Sequence, residues 1–184
     1  MSRLPLVQLN DIEDPEILGI FAWVIEMEGK VPNHFAIEMN FPELMKSKLG
    51  FTKVLWETGE LSMDEIQHVG ILISRANNCQ YCTGAFCTIL MHGLGGDKTY
   101  AEQLVTNGSV PITDHRLLAI VDFAGKVNED ASKVNDDDIE TLKRHGLTNK
   151  GVIQLIHLVS DFASYNRLNL ALDTDYDYAY FGNI

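Results

Sequence analysis

Apolar residues recur every three or four positions along most of this chain, and proline, glycine and helix-capping residues interrupt the pattern at intervals. This spacing is typical of amphipathic helices that bury one face. It predicts a first helix over residues 14–29, a short helical piece around residues 35–39 and a third helix over residues 41–59. The positions expected to face the core in the first and third helices are Ile17, Phe21, Val24, Ile25, Leu44, Leu49, Val54 and Leu55.

A fourth helix begins at a capping box over residues 62–65 and leads directly into the segment that holds all three cysteines. The helices expected after the cysteines lie over residues 97–107, from the cap residue Thr113, over residues 135–146 and from the cap residue Thr148. Nothing in the pattern up to the end of the last predicted helix indicates a strand. The sequence therefore predicts an all-α fold of six to eight helices, in one domain spanning residues 1–184.

Composition and charge narrow the classes of function. The 184 residues are 46% hydrophobic and carry a formal net charge of −12, and a chain of this length buries a sizeable core without disulfides. The negative charge argues against binding to nucleic acid or to an anionic membrane surface. No apolar run resembles a signal peptide or is long enough to span a membrane, so we expect a cytoplasmic protein with reduced thiols.

The candidate chemistry lies in residues 77–87. Cys79 and Cys82 are separated by two residues, which places them about one helical turn apart and close enough to bridge. Asn77 and Asn78 are expected to cap the helix that carries the pair, and a helix start favours the thiolate form. This arrangement is typical of a redox-active dithiol. Cys87 points about 140° away from Cys82 on a regular helix and is expected in the core.

Two alternatives are weighed against redox chemistry. The thiols are inert buried groups, or they form half of a structural zinc site. No second C-x-x-C and no H-x-x-x-H is present, so we predict neither a metal nor another cofactor beyond the dithiol–disulfide couple. His92 is interpreted as a helix-end group, and the acids 136–138 as a solvated helix cap. The tail over residues 173–181 alternates acids and aromatics, and it either packs on a neighbouring subunit or caps the fold.

A capped apolar helix followed by residues 74–85, Ser-Arg-Ala-Asn-Asn-Cys-Gln-Tyr-Cys-Thr-Gly-Ala, resembles the carboxymuconolactone decarboxylase family and, within it, the alkylhydroperoxidase D-like proteins. Residues 29–33 and 165–168 look like the branch described as peroxidase-related. The resemblance implies an all-helical homo-oligomer whose C-x-x-C pair reduces peroxides. In this pattern Cys82 attacks the peroxide and Cys79 resolves, and a thiol reductant or an electron-donor protein regenerates the pair.

The family pattern also has a glutamate twelve residues before the first cysteine and a histidine four residues after the second. Gln67 and Phe86 stand at these positions, and neither side chain can relay a proton. Glu65 and His68 lie within a turn of Gln67 and are the substitute bases that the sequence suggests. We expect Cys82 to be a sluggish nucleophile at neutral pH, because Phe86 excludes water beside it.

The sequence thus favours a thiol-dependent peroxidase or disulfide reductase in antioxidant defence. A second hypothesis is a decarboxylase-type activity that uses no thiol and acts on a small lactone or quinone-like acid. A third is a non-catalytic oligomeric binding protein that keeps the fold without the chemistry.

Overall fold

The protein was analysed as a computed structural model, which describes residues 1–8, 10 and 12–178. Nine α-helices lie within these ranges, together with a π-helical turn at Ile89–Gly93 and a 3₁₀ turn at Ala131–Lys133. The helices are α1 (Pro15–Glu28), α2 (Asn33–Glu38), α3 (Pro42–Glu57), α4 (Met63–Ala76), α5 (Gln80–Thr88), α6 (Lys98–Asn107), α7 (His115–Asp130), α8 (Asp136–Arg144) and α9 (Asn149–Leu172). The all-α prediction is confirmed, and the helix count exceeds the predicted range by one because residues 33–38 form a helix of their own.

Most helices begin where the sequence predicts a cap. Asp14 accepts hydrogen bonds from the backbone N–H groups of Glu16 and Ile17, and Gly29 ends α1 in a left-handed conformation with φ of 79°. The capping box at the start of α4 is present. At α7 the prediction of Thr113 is wrong by one residue, because the carboxylate of Asp114 accepts the N–H of Leu117.

The core is organised around α4, which packs against α5, α7 and α9. A second apolar cluster joins α1, α2 and α3. Not all of the positions predicted to be buried face these clusters: Ile25, Leu44 and Val54 are 47%, 55% and 58% exposed. The helical period was correct, but the apolar stripe on α1 and α3 is wider than the face that the core covers.

Residues 173–178 leave α9 and run back across the start of α2. Asp177 accepts a hydrogen bond from Lys30 Nζ at 2.7 Å and another from the backbone N–H of Asn33 at 3.1 Å. Tyr178 is buried. Residues 173–178 therefore cap the fold, which is one of the two alternatives predicted for the tail. Residues 179–181 of the predicted tail lie outside the described residues. A search of the described helices finds none with the length and apolar character that crossing a bilayer requires.

Candidate active site

Cys79 and Cys82 are joined as a disulfide at the start of α5, with their Cα atoms 5.4 Å apart. The predicted caps are wrong: Cys79 itself is the N-cap of α5, and its sulfur accepts the backbone N–H of Cys82 at 3.3 Å. Asn77 instead ends α4, and Asn78 turns the chain toward α5 in a left-handed conformation with φ of 58°. Asparagine tolerates this conformation better than most residues.

Cys82 lies in the first turn of α5, where the free backbone N–H groups and the helix dipole stabilise an anion. The amide nitrogen of Asn169 lies 3.5 Å from the Cys82 sulfur. Both features favour the thiolate once the disulfide is reduced. Cys82 is only 3% exposed, so its reaction partner must be small or must enter the protein.

A cavity provides that entry. Cys82 lines it together with residues from α1, α2, α3, α5 and α9. The volume of this cavity is about 50 Å³. Such a volume holds a few water molecules or the reactive end of a small ligand. Aromatic side chains make up much of the wall: Trp23, Phe35, Trp56, Tyr81, Phe86, Phe162 and Tyr165. The cavity therefore suits an apolar or weakly polar molecule.

Cys79 faces a different space. It lines a recess of about 210 Å³ between the start of α5 and the residues that follow α9. The recess is bordered by polar residues that include Asn78, Asp173 and Thr174. The two cysteines of one disulfide therefore line two compartments, an aromatic cavity at Cys82 and a polar recess at Cys79.

Two titratable side chains that the sequence analysis did not single out line the cavity. Glu28, the last residue of α1, accepts a hydrogen bond from the Tyr178 hydroxyl at 2.6 Å. Burial raises the pKa of Glu28 to about 8, and the bond from Tyr178 and the charge of Lys30 only partly oppose this. Burial, reinforced by Lys48, lowers the pKa of His34 to about 3, so its imidazole is neutral.

Tyr81 connects these groups to α5. Its hydroxyl donates to Asp177 at 2.7 Å and accepts the backbone N–H of His34 at 3.1 Å. Burial and the neighbouring Asp177 charge raise the pKa of Tyr81, which keeps the hydroxyl protonated. Its ring lies edge-on to that of Tyr178, with centroids 5.3 Å apart. The segment 173–178 thus supplies one wall of the site.

Phe86 lines the same cavity as Cys82, and its ring is tilted by 60° to that of Phe162, with centroids 4.6 Å apart. Gln67 is fully buried, and neither its amide oxygen nor its amide nitrogen has a hydrogen-bond partner among the described residues. Orphaned buried amides are rare in native structures. Cys87 is a free, buried thiol, as predicted, and burial raises its pKa to about 12.

The structure turns the other two predicted site residues toward neighbouring helices. Glu65 accepts the backbone N–H of Ser62 at 2.8 Å and pairs with Arg116 Nε at 2.6 Å. His68 contacts the Asp64 carbonyl at 2.8 Å and the Tyr100 hydroxyl at 2.9 Å. Neither residue lines the cavity that Cys82 lines. Their roles as bases remain predictions, and these contacts give each a structural role.

Sequence reasoning missed Glu28 and His34 because they lie far from the cysteines along the chain. The only signal near them was the resemblance carried by residues 29–33, which these two residues flank. As for metals, no group of three or more histidine, cysteine, aspartate or glutamate side chains is clustered for ion binding in the described ranges.

Neither a scan against protein-family models nor a search of the curated proteins finds a match. Solved structures do match. An uncharacterized peroxidase-related protein from Silicibacter sp. TM1040 is 25% identical, with 98% of this chain and 94% of that chain covered and a TM-score of 0.85. An uncharacterized peroxidase-related protein from Ralstonia eutropha JMP134, described as an alkylhydroperoxidase AhpD core, is 26% identical, with 96% and 92% covered and a TM-score of 0.85.

The debrominase Bmp8, in a complex of a cysteine-to-alanine variant with 2,3,4-tribromopyrrole, shares the fold at 18% identity, with 96% of this chain and 94% of that chain covered and a TM-score of 0.78. The helical fold is that of alkylhydroperoxidase D-like proteins, and peroxidase-related proteins are among its structural neighbours. This likeness supports the resemblance to the carboxymuconolactone decarboxylase family that the sequence predicted.

Proposed function

We propose that this protein is a thiol-dependent reductase of small peroxides in an antioxidant role, with Cys82 as the attacking thiol and Cys79 as the resolving thiol. The observation that carries the proposal is the Cys79–Cys82 disulfide at the start of α5, with Cys82 lining an apolar cavity. The likeness to peroxidase-related proteins supports it. The two thiols supply both electrons, so the cycle requires no other redox cofactor.

The proposed reaction balances in two steps. The Cys82 thiolate attacks the outer oxygen of a hydroperoxide, the O–O bond breaks, and the departing alkoxide takes up a proton to leave as an alcohol. Cys82 is then a sulfenic acid. The Cys79 sulfur attacks it, its proton joins the departing hydroxide to form water, and the disulfide closes.

The two compartments separate the substrate from the reductant. We place the peroxide in the cavity at Cys82 and the thiol reductant, small or presented by an electron-donor protein, in the recess at Cys79. Attack of the reductant thiolate on Cys79 releases Cys82 as a thiolate, which the helix start and Asn169 stabilise. A second reductant thiol then frees Cys79.

Mass spectrometry of the thiols tests the proposal. The reduced protein receives one equivalent of hydrogen peroxide or cumene hydroperoxide, and the disulfides are mapped over time. We expect a Cys79–Cys82 disulfide while Cys87 stays free. In the Cys79→Ser protein a sulfenic acid should be trapped at Cys82, and the Cys82→Ser protein should not react. Preferential oxidation of Cys87, or direct conversion of Cys82 to a sulfinic acid in the native protein, would overturn the proposal.

The aromatic cavity favours a second candidate, reductive removal of a halogen from an aromatic ring by the same dithiol. The dithiol gives up two electrons and two protons; the ring carbon exchanges its halogen for a hydrogen, and a halide ion and one proton are released. Release of bromide from a brominated pyrrole, in step with disulfide formation, would support this candidate. Bromide release unchanged in the Cys82→Ser protein would exclude it.

The two hypotheses without thiol chemistry make opposite predictions for the same variant. A decarboxylase-type reaction on a small lactone should persist in the Cys82→Ser protein. A non-catalytic binding protein should turn over no substrate, whether unmodified or as the Cys82→Ser variant. Its reduced dithiol should be oxidised no faster by peroxide than in buffer alone.

We also propose that the chain forms homo-oligomers through α3. Leu44, Phe51 and Val54 lie on one side of this helix at three- and seven-residue spacings and are 55%, 43% and 58% exposed. Light scattering at micromolar concentration should give a mass above that of the 20.6 kDa chain, and Phe51→Glu should reduce it. Val110→Glu, at an exposed site outside α3, is the matched control. A monomer in the unmodified protein would remove this proposal.

A further inference from the structure

The residues that relay protons in the family pattern are absent here, and the cavity offers a substitute. We propose that the carboxyl group of Glu28 takes the proton of the Cys82 thiol and delivers it to the departing oxygen of the peroxide. The inference rests on the peroxidase function proposed above. It assigns the proton-transfer role to a residue on α1, more than fifty positions before the cysteine that it serves.

Position is the first argument for Glu28. It lines the same cavity as Cys82 and is the only acidic residue among the described residues that do so. The Tyr178 hydroxyl donates to Oε2 at 2.6 Å, which holds the carboxyl group in place and leaves Oε1 without a bond from Tyr178. A proton-transfer group needs a fixed position beside the reactants.

The other titratable groups on the cavity wall are less suited to the role. His34 is held neutral with a pKa of about 3, so it is a weak base and has no second proton to give. The hydroxyls of Tyr81 and Tyr165 have raised pKa values, and they are bonded to Asp177 and Thr52. Glu28, with a pKa of about 8, exchanges its proton near neutral pH, where general acid–base catalysis is most effective.

The proton balance closes over one turnover. The Glu28 carboxylate accepts the Cys82 thiol proton, which gives a thiolate beside a neutral carboxyl group. The thiolate attacks the outer peroxide oxygen, two electrons pass from sulfur to the O–O bond, and the departing alkoxide takes the proton from Glu28. The carboxylate is thereby restored, and the later formation of water uses the Cys79 proton.

The pH dependence follows from the same step. The helix start and Asn169 favour the Cys82 thiolate, so the single proton that the pair holds resides on Glu28 in the reactive state. The oxidation rate should therefore fall as pH rises through about 8, where Glu28 loses that proton. Other charged or titratable groups face Glu28 from the elements packed around it. They are Lys30 after α1, His34 on α2, Tyr81 on α5, Tyr165 on α9, and Asp177 and Tyr178 in the segment after α9.

Three variants test the inference, with the rate of Cys82 oxidation by one equivalent of cumene hydroperoxide measured between about pH 6 and pH 9.5. Glu28→Gln keeps the shape and can still accept the Tyr178 hydrogen bond, but it cannot transfer a proton. We expect its rate to fall by about 10²-fold or more at neutral pH, and the decline above pH 8 to disappear. Glu26→Gln, an exposed glutamate on the same helix, is the control and should match the unmodified protein.

Tyr178→Phe supplies a readout that a structural role would not produce. The Tyr178 hydrogen bond lowers the pKa of Glu28, so its loss should move the decline in rate to higher pH while the carboxyl group remains. Circular dichroism establishes that each variant is folded. If Glu28→Gln reacts at the unmodified rate with an unchanged pH profile, this inference fails and the proposed function stands. If the unmodified protein forms no Cys79–Cys82 disulfide, the proposed function fails first.

Discussion

Helix α4 and the wall formed by α1, α2 and residues 173–178 both carry acidic and histidine side chains, but only the second region places such residues on the cavity that Cys82 lines. On α4, Glu65 pairs with Arg116 and His68 with Tyr100. In the second region, Glu28 and His34 line the cavity. Helix α4 is nearer to the cysteines in sequence, but the contacts of its Glu65 and His68 are structural.

This difference shows that the hydrogen bonds and ion pairs of a side chain indicate its role better than its sequence distance from the cysteines does. Glu65 and His68 each have one polar contact within α4 and its cap and one with a neighbouring helix: Arg116 on α7 and Tyr100 on α6, respectively. His34 has a ring nitrogen without a partner among the described residues, and Glu28 has a strongly shifted pKa. Unsatisfied or shifted groups beside a cavity are the stronger candidates for chemistry.

The largest effect is expected when the family pair on α4 and α5 is restored in a protein that lacks the Glu28 carboxyl. Gln67→Glu with Phe86→His, introduced into the Glu28→Gln protein, should recover about 10²-fold in the rate of Cys82 oxidation, because either relay can move the proton. The gain in the unmodified background should be smaller. Peroxide-dependent loss of thiols measures both. Equal gains in rate in the two backgrounds would mean that Glu28 and the restored pair do not transfer the same proton.

Packing between α4 and α5 gives the next largest effect. A Cβ atom at Gly70 would lie 2.4 Å from the Phe86 ring, so Gly70→Ala should displace that ring from the cavity wall and destabilise the protein by about 1–3 kcal/mol. Gly125→Ala on α7 is the matched control, because nothing lies within 4 Å of the added atom. That control should stabilise the helix by about 0.5–1 kcal/mol. Urea unfolding compares the two, and equal free energies of unfolding would contradict the close contact.

Glu65→Ala separates structure from chemistry on α4. It removes half of a capping box and the partner of Arg116, so we expect a loss of about 1–2 kcal/mol in the free energy of unfolding. The rate of Cys82 oxidation in the folded protein should not change. A large loss of rate with little loss of stability would return Glu65 to the role of base that the sequence suggested.

The smallest expected effect concerns stability as a function of pH. Folding raises the pKa of Glu28 from 4.5 to about 8, so its favourable contribution is complete below the unfolded value and is lost as pH rises through the folded value. The Tm of the Glu28→Gln protein should therefore rise relative to the Tm of the unmodified protein by about 2–4 °C between pH 7 and pH 8. Calorimetry measures the gain, and a constant difference would indicate an unshifted Glu28.

The sequence predicted the elements well because caps and helical periodicity are local. Asp14, Asp97, Asn135 and Thr148 all cap the helices assigned to them. The cap of α5 was wrong for an equally local reason. Asn78 takes a left-handed conformation, which lets the Cys79 sulfur bond to the helix start in place of an asparagine side chain.

The site was only half predictable. Cys79 and Cys82 form a motif within four residues and were identified directly. The cavity needs α1, α2, α3 and α9 to converge on α5, and no spacing along the chain specifies that convergence. The pKa of Glu28 likewise depends on burial that only the assembled fold provides.

The return of residues 173–178 to α1 and α2 has a consequence for how the protein folds. Tyr178 and Glu28 are 150 residues apart, and Lys30 and Asp177 are 147 apart, so these contacts close very long loops, which is slow relative to local helix formation. We expect the environment of Glu28 to form after the core. Trp23 and Trp56, whose rings lie 5.6 Å apart at the cavity, should report core formation by fluorescence in refolding experiments, ahead of the return of fast Cys82 oxidation. Simultaneous recovery of the two signals would show that the site and the core fold as one unit.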